Sequence, residues 1–269
     1  MVGLDRNNLN NSIIADGNHD EEEIEAKNYR QQRFQEFSTD SAKISVYFRN
    51  LQEKLIEKIN QYSVIVGCVA WFTNKDVLKA LATREKVSII IQKEDFLRPD
   101  TGDWSSKKLK RLYGNLPPGP SKSGEYWGDL LQSLNINSTW DSEPIRWAGN
   151  FNTEKLPAFP RMHNKFLVFC EFELVERLIP INDDNDNLYS IKADLEKELK
   201  IVPKAVWTGS FNITNNGTMS LENAVYIVDT KISKAYYDEW QYIFALSESI
   251  PNKHWKKYWD APEEFRIGT

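Results

Sequence analysis

The run SVIVGCVAWF at 63–72 is apolar on both faces and rich in β-branched and aromatic residues, a pattern suited to a strand covered on both sides. Thr73 or Asn74 then offers an N-cap for a helix at 75–83, whose Val77, Leu78 and Leu81 recur at helical spacing. A second apolar run follows at 87–92. Strand, short helix and strand in succession make a βαβ unit, so the expected class is α/β: a mixed, mostly parallel sheet flanked by helices. With 41% hydrophobic and 12% aromatic residues, the 269-residue chain has ample material to bury such a sheet.

Further elements are expected around this unit. A short strand falls at 45–48, and Leu51, Leu55, Ile56 and Ile59 mark an amphipathic helix. Strands are expected at 145–148, 166–172, 205–208 and 224–228, and an amphipathic helix at 233–246. Residues 1–40 read as a polar tail with a loose helix, 41–250 as one domain, and 251–269 as a polar aromatic tail. Two stretches read as insertions. One, at about 95–160, carries Pro117, Pro118, Pro120, Trp104, Trp127, Trp140 and Trp147, with a helix at 125–134. Packing of an inserted lobe is preferred for these tryptophans over a base-stacking platform. The other, at 173–203, is polar and contains a helical run at 191–199. Its Asp183, Asp184 and Asp186 lack the Gly and closing Glu of a calcium loop.

Bulk properties restrict the setting more than the function. The longest apolar run is too short to span a bilayer, and the first residues show no secretory signal, so a cytoplasmic location is expected. Cys68 and Cys170 sit inside apolar runs and read as buried thiols. A net charge of −5 and a pI near 5.4 argue against coating nucleic acid by bulk electrostatics, but leave room for a local basic groove.

Chemistry concentrates in two segments. In RMHNKFLVF at 161–169, an extended backbone places His163 and Lys165 on one face. An imidazole beside an ammonium suits an anionic phosphate: the lysine neutralises non-bridging oxygens and the histidine can attack phosphorus. In TGSFN at 208–212, Gly209 permits a close turn while Ser210 and Asn212 supply donors. Glu222, just ahead of a strand, can fix the histidine tautomer by accepting its far N–H.

The ordered elements MHNKF, TGSFN and LENAVYI resemble the His-x-Lys, Gly-Ser-x-Asn and Glu-Asn motifs of the phospholipase D superfamily. The stretch VIVGCVAWFTNKDVLKAL also resembles its first strand and helix. The resemblance covers about 44–92 and 160–246. It implies a phospholipase D-like fold in which His163 is the nucleophile, with Lys165, Ser210, Asn212 and Glu222 around the phosphate. One departure is Cys170, where the family has an aspartate. Period two sets residue 170 on the face opposite His163, so that position is expected to be structural. Glu171 and Glu173 fall on the His163 face.

The chain carries one His-x-Lys copy, because His19 and His254 have no matching lysine. Chemistry of this kind needs two histidines, one to form a phosphohistidine and one to move protons. A two-fold homodimer sharing one site is therefore implied, as in the family's single-motif nuclease branch. No cofactor is implied, and two cysteines and three histidines give no zinc spacing, so no metal is expected. The expected function is a metal-independent phosphodiesterase, an endonuclease on DNA or RNA. Lys107, Lys108, Lys110 and Arg111, with Lys253, Lys256 and Lys257, are candidates to line a nucleic-acid groove. A phospholipid phosphodiesterase or transferase, and an inactive binding module of the same fold, are the alternatives. No cationic amphipathic helix suited to a lipid interface is visible.

Overall fold

The structure is a computed structural model that describes residues 42–94, 97, 104–120, 143–151, 159–181 and 192–250. The expected tails, the helix at 125–134, His19, His254, Trp127, Trp140, the Asp183 cluster and Lys253, Lys256 and Lys257 lie outside the described residues.

Eight strands form a single sheet: β1 (Lys43–Tyr47), β2 (Val64–Val69), β3 (Lys86–Gln92), β4 (Ile145–Ala148), β5 (Lys165–Ile181), β6 (Lys192–Gly209), β7 (Ala224–Val228) and β8 (Glu248–Ser249). Their order across the sheet is β1-β7-β6-β5-β2-β3-β4-β8. The expected parallel unit is present, with β2 paired in parallel to β3, and β3 to β4. The other five pairings are antiparallel, so the sheet is mostly antiparallel rather than mostly parallel. The βαβ signal fixes only its own strands. What reverses the balance is β5, which runs antiparallel to β2 on one side and to β6 on the other.

That pairing overturns a second expectation. The described parts of the stretch, 173–181 and 192–203, form the outer half of a long β5–β6 ladder, with strand rather than helix at 192–199. Leu195 and Leu199 are four residues apart, a spacing compatible with either period. On β6 they stand opposite Leu178 and Leu174, while Lys200, Lys197 and Glu196 stand opposite Glu173, Glu176 and Arg177. Directly opposed unlike charges favour such a pairing.

Helices cover both faces. On one side α1 (Leu51–Ile59), α2 (Lys75–Leu81) and α3 (Trp104–Gly114) bring Leu55, Ile59, Leu78, Leu81 and Tyr113 onto Ile65, Val69, Ile89, Leu167 and Phe169. The Asn74 side chain caps α2, accepting from the N–H groups of Asp76 and Val77, both at 3.1 Å. On the other side the long α5 (Thr230–Leu246) buries Tyr237, Trp240, Ile243 and Phe244 against Val64, Val66, Cys68, Phe166, Val168 and Cys170. A short α4 (Asn215–Met219) follows the TGSFN turn. The described part of the expected inserted lobe belongs to the main body: Leu109, Tyr113, Leu116 and Trp147 all join the first core.

Candidate active site

Strand direction gathers the site. β2 and β3 are parallel, so both end at the same edge of the sheet. β5 runs against β2, so its first residue, Lys165, pairs with Val69, the last of β2. β6 runs against β5 and ends there at Gly209, which pairs with Ala224 at the start of β7. One edge thus receives Trp71, Glu94, His163, Lys165, Ser210, Asn212 and Glu222, although they are far apart in sequence.

There His163, Lys165, Ser210, Asn212 and Glu222 line a cleft of about 600 Å³, together with Asn164, Phe166, Thr208, Gly209, Tyr236 and Glu239. Trp71 and Glu94 stand outside that lining. His163 precedes the strand rather than lying on it, and is exposed. The pairing with Lys165 holds nonetheless: Lys165 Nζ lies 3.3 Å from His163 Nδ1 and 3.4 Å from Nε2, and donates to the His163 carbonyl at 3.0 Å. The segment is pinned from behind. The buried Gln92 accepts from the Met162 N–H at 2.8 Å and donates to the carbonyls of Asn150 and Lys93. Just after His163 in sequence, the Asn164 carbonyl accepts from the Ala70 N–H at 2.9 Å.

Partial burial, with the charges of Lys165 and Arg161, holds the His163 pKa below its ordinary value of 6.5. The imidazole is therefore neutral, and nucleophilic, at neutral pH. Burial also lowers the Lys165 pKa, an effect that Glu222 opposes.

The TGSFN turn is built on a glycine for a geometric reason. Gly209 has φ +154°, and a Cβ there would stand 2.4 Å from the Asn223 carbonyl oxygen. The close approach lets the Ser210 N–H donate to the Asn223 carbonyl and the Asn223 N–H donate to Ser210 Oγ at 3.1 Å. Ser210 in turn donates its proton to Glu222 Oε2 at 2.5 Å. The expected Glu222–imidazole contact is thus replaced, within one chain, by a carboxylate–hydroxyl pair. The Ser210 hydroxyl proton is thereby committed to Glu222. Asn212 lines the cleft with a buried Oδ1 that has no hydrogen-bond partner.

Cys170 is fully buried beneath α5, on the face opposite Lys165, as its position requires. Glu171 accepts from Ser63 and Glu173 pairs with Lys204, and neither lines the cleft. Lys107, Lys108, Lys110 and Arg111 lie on α3, away from the cleft lining, with Lys107, Lys108 and Arg111 exposed. Among the described residues no group of three His, Cys, Asp or Glu side chains is placed to hold a metal, and no helix is long and apolar enough to cross a membrane.

Three site residues escape a reading by motif. Tyr236 and Glu239 reach the cleft from α5, a helix whose sequence announces only its apolar face. Trp71 reads as the end of a buried strand, yet its ring meets His163. A signal was available in strand direction, because parallel β2 and β3 must present their ends together.

No family model matches the chain. It is 29% identical to uncharacterized protein L381 of Acanthamoeba polyphaga mimivirus over 231 residues, which cover 79% of this chain and 68% of that protein. Among solved structures it is similar to NucT from Helicobacter pylori (14% identity, TM-score 0.45, 78% of this chain and 99% of that one). It is also similar to Nuc from Salmonella typhimurium, a phospholipase D family member (16% identity, TM-score 0.44, 79% of this chain and 100% of that one). The order and chemistry of its His-x-Lys, Gly-Ser-x-Asn and Glu-Asn residues, gathered at one edge of one sheet, are similar to the motifs of the phospholipase D superfamily.

Proposed function

We propose that the chain is a phosphodiesterase of the phospholipase D type, and specifically a metal-independent endonuclease acting on DNA or RNA in a site shared by two copies. The observation that carries the reading is the imidazole of His163 held within 3.4 Å of the Lys165 ammonium, in an open cleft that Asn212 also lines.

In this scheme a nitrogen of His163 attacks phosphorus as the bond to the leaving ester oxygen breaks. The matching histidine of the second copy, protonated beside the phosphate, gives its proton to that oxygen. Now neutral, it takes a proton from water. The resulting hydroxide displaces His163 from phosphorus, leaving a phosphomonoester. Lys165 supplies the positive charge that offsets the phosphate oxygens throughout.

Two features support the finer claims. The rim beside Glu222 exposes Leu221 at 88%, Met219 at 79% and Phe48 at 58%. Tyr47 pairs with Ala224, so Phe48 comes level with Asn223. An apolar rim flanking a half-furnished site suits a second copy of the chain. For the polymer, α3 is anchored to the backbone beside Trp71, where Tyr113 donates to the Phe72 carbonyl at 2.5 Å. Its exposed Lys107, Lys108 and Arg111 lie within roughly 9 Å of that anchor along the helix, a cationic surface that supports nucleic acid over lipid.

The test is a panel of single- and double-stranded DNA, RNA and phospholipid vesicles in chelator, wild type beside His163→Ala. Cleavage of nucleic acid that falls at least ~10⁴-fold in the variant is expected. Headgroup release without nuclease activity would move the assignment to lipid, and activity surviving in His163→Ala would remove the nucleophile.

A further inference from the structure

We propose that Trp71 is a positioning residue for the reaction: its indole walls the His163 imidazole on one side and carries the Lys165 ammonium over its ring. Trp71 lies just beyond β2. Its ring centroid is 5.3 Å from that of His163 with the planes at 86°, an edge-to-face contact. Lys165 Nζ sits 5.6 Å from the indole centroid, within cation–π range. The one polar atom of the side chain, Nε1, donates to Glu94 Oε1 at 2.7 Å, and Glu94 follows β3 at the same sheet edge.

A tryptophan kept only to fill the core would turn its ring into the apolar clusters. Trp71 belongs to neither of them, although Phe72 beside it is 1% exposed within the first. The indole instead touches both groups assigned to the chemistry, and its orientation is locked by a hydrogen bond from outside the cleft. The end of β3 therefore acts on His163 twice: Gln92 holds the backbone ahead of it, and Glu94 holds the Trp71 ring beside it.

Three things follow for the imidazole. It is kept from rotating away from the line of attack, it shares a wall with its lysine, and it is shielded from water on one side. The charged groups around it are Lys165 and Arg161, with Glu222 and Glu239 lining the cleft and Glu94 behind the indole. Burial is the largest influence on its titration, ahead of both cations.

The inference rests on His163 being the nucleophile, so its test includes a readout independent of turnover. In the full chain, Trp71→Leu keeps apolar bulk without a ring, Trp71→Phe keeps a ring, and Glu94→Gln keeps an acceptor for the indole without the charge. The His163 imidazole is titrated by NMR, its signal assigned by loss in His163→Ala. We expect Trp71→Leu to move the His163 pKa up towards 6.5 and to lower kcat about 100-fold with little change in KM. Trp71→Phe should restore most of both, and Glu94→Gln should lose less than Trp71→Leu. A titration and kcat unmoved in Trp71→Leu would overturn the inference. Should Trp71→Leu fail to fold, Trp71→Phe decides alone: wild-type KM with kcat within about tenfold supports it, and a loss as deep as His163→Ala overturns it. Should the wild type cleave nothing while Trp71→Leu still shifts His163, the proposed function falls and the contact stands.

Discussion

His163 is poised by three neighbours that act in the same direction. Partial burial, Lys165 and Arg161 each disfavour the imidazolium, so the proton is lost at lower pH than from a free histidine. The sign carries into kinetics. A nucleophile that must be neutral sets the acid limb of kcat/KM, and a lowered pKa moves that limb down. The acid limb should therefore lie below pH 6.5, which a pH–rate profile in chelator will show. A limb centred above 6.5 would mean that another group governs the nucleophile. Lys165→Ala should raise the limb by removing one repelling charge. Most of these residues were legible in the sequence, because His163, Lys165, Ser210 and Asn212 sit in short runs whose spacing is itself the motif. Glu222 was legible as a site residue but not in its contact, since a carboxylate preceding a strand does not announce whether it meets an imidazole or the Ser210 hydroxyl.

At the scale of elements, strand ends do the aiming. β2 and β3 finish together, and the side chains just beyond or within those ends, Trp71, Gln92 and Glu94, hold the His163 segment from two directions. Gln92 is 1% exposed and makes three hydrogen bonds. Gln92→Leu would leave the Met162 N–H and the Asn150 and Lys93 carbonyls without those partners. We expect it to cost about 2–4 kcal/mol in a urea titration, each orphaned buried group contributing ~1–3 kcal/mol where water cannot replace the bond. It should also lower kcat in whatever folded protein remains. A stable variant with unchanged kcat would mean that the backbone ahead of His163 needs no such pin. The β5–β6 ladder shows the limit of local pattern at this scale. A leucine repeat of four fits a strand as well as a helix, and only the partner strand, with Leu174 opposite Leu199, resolves it.

For the whole molecule, the decisive question is whether one chain suffices. The described cleft holds a single histidine, and the rim beside it exposes Phe48, Met219 and Leu221. Leu221→Glu places a charge where the second copy would dock, at a position whose exposure leaves the monomer fold untouched. We expect sedimentation to report monomers, the melting temperature of dilute protein to stay near that of wild type, and activity to fall with the dimer fraction. A fully active monomer would refute the shared site.

The sequence by itself determined the parallel β2–α2–β3 unit, a cap for α2 at Thr73 or Asn74, and the pairing of His163 with Lys165, because these depend on periods and spacings of a few residues. Tertiary structure alone decided that the sheet is mostly antiparallel, that Asn74 is the cap, that 173–181 and 192–203 extend β5 and β6, that Trp71 meets His163 and that Ser210 meets Glu222. Apart from the cap, each of those contacts joins residues set side by side by strand order and register. Such neighbours are fixed by how the whole sheet buries its two faces, a quantity no local window contains.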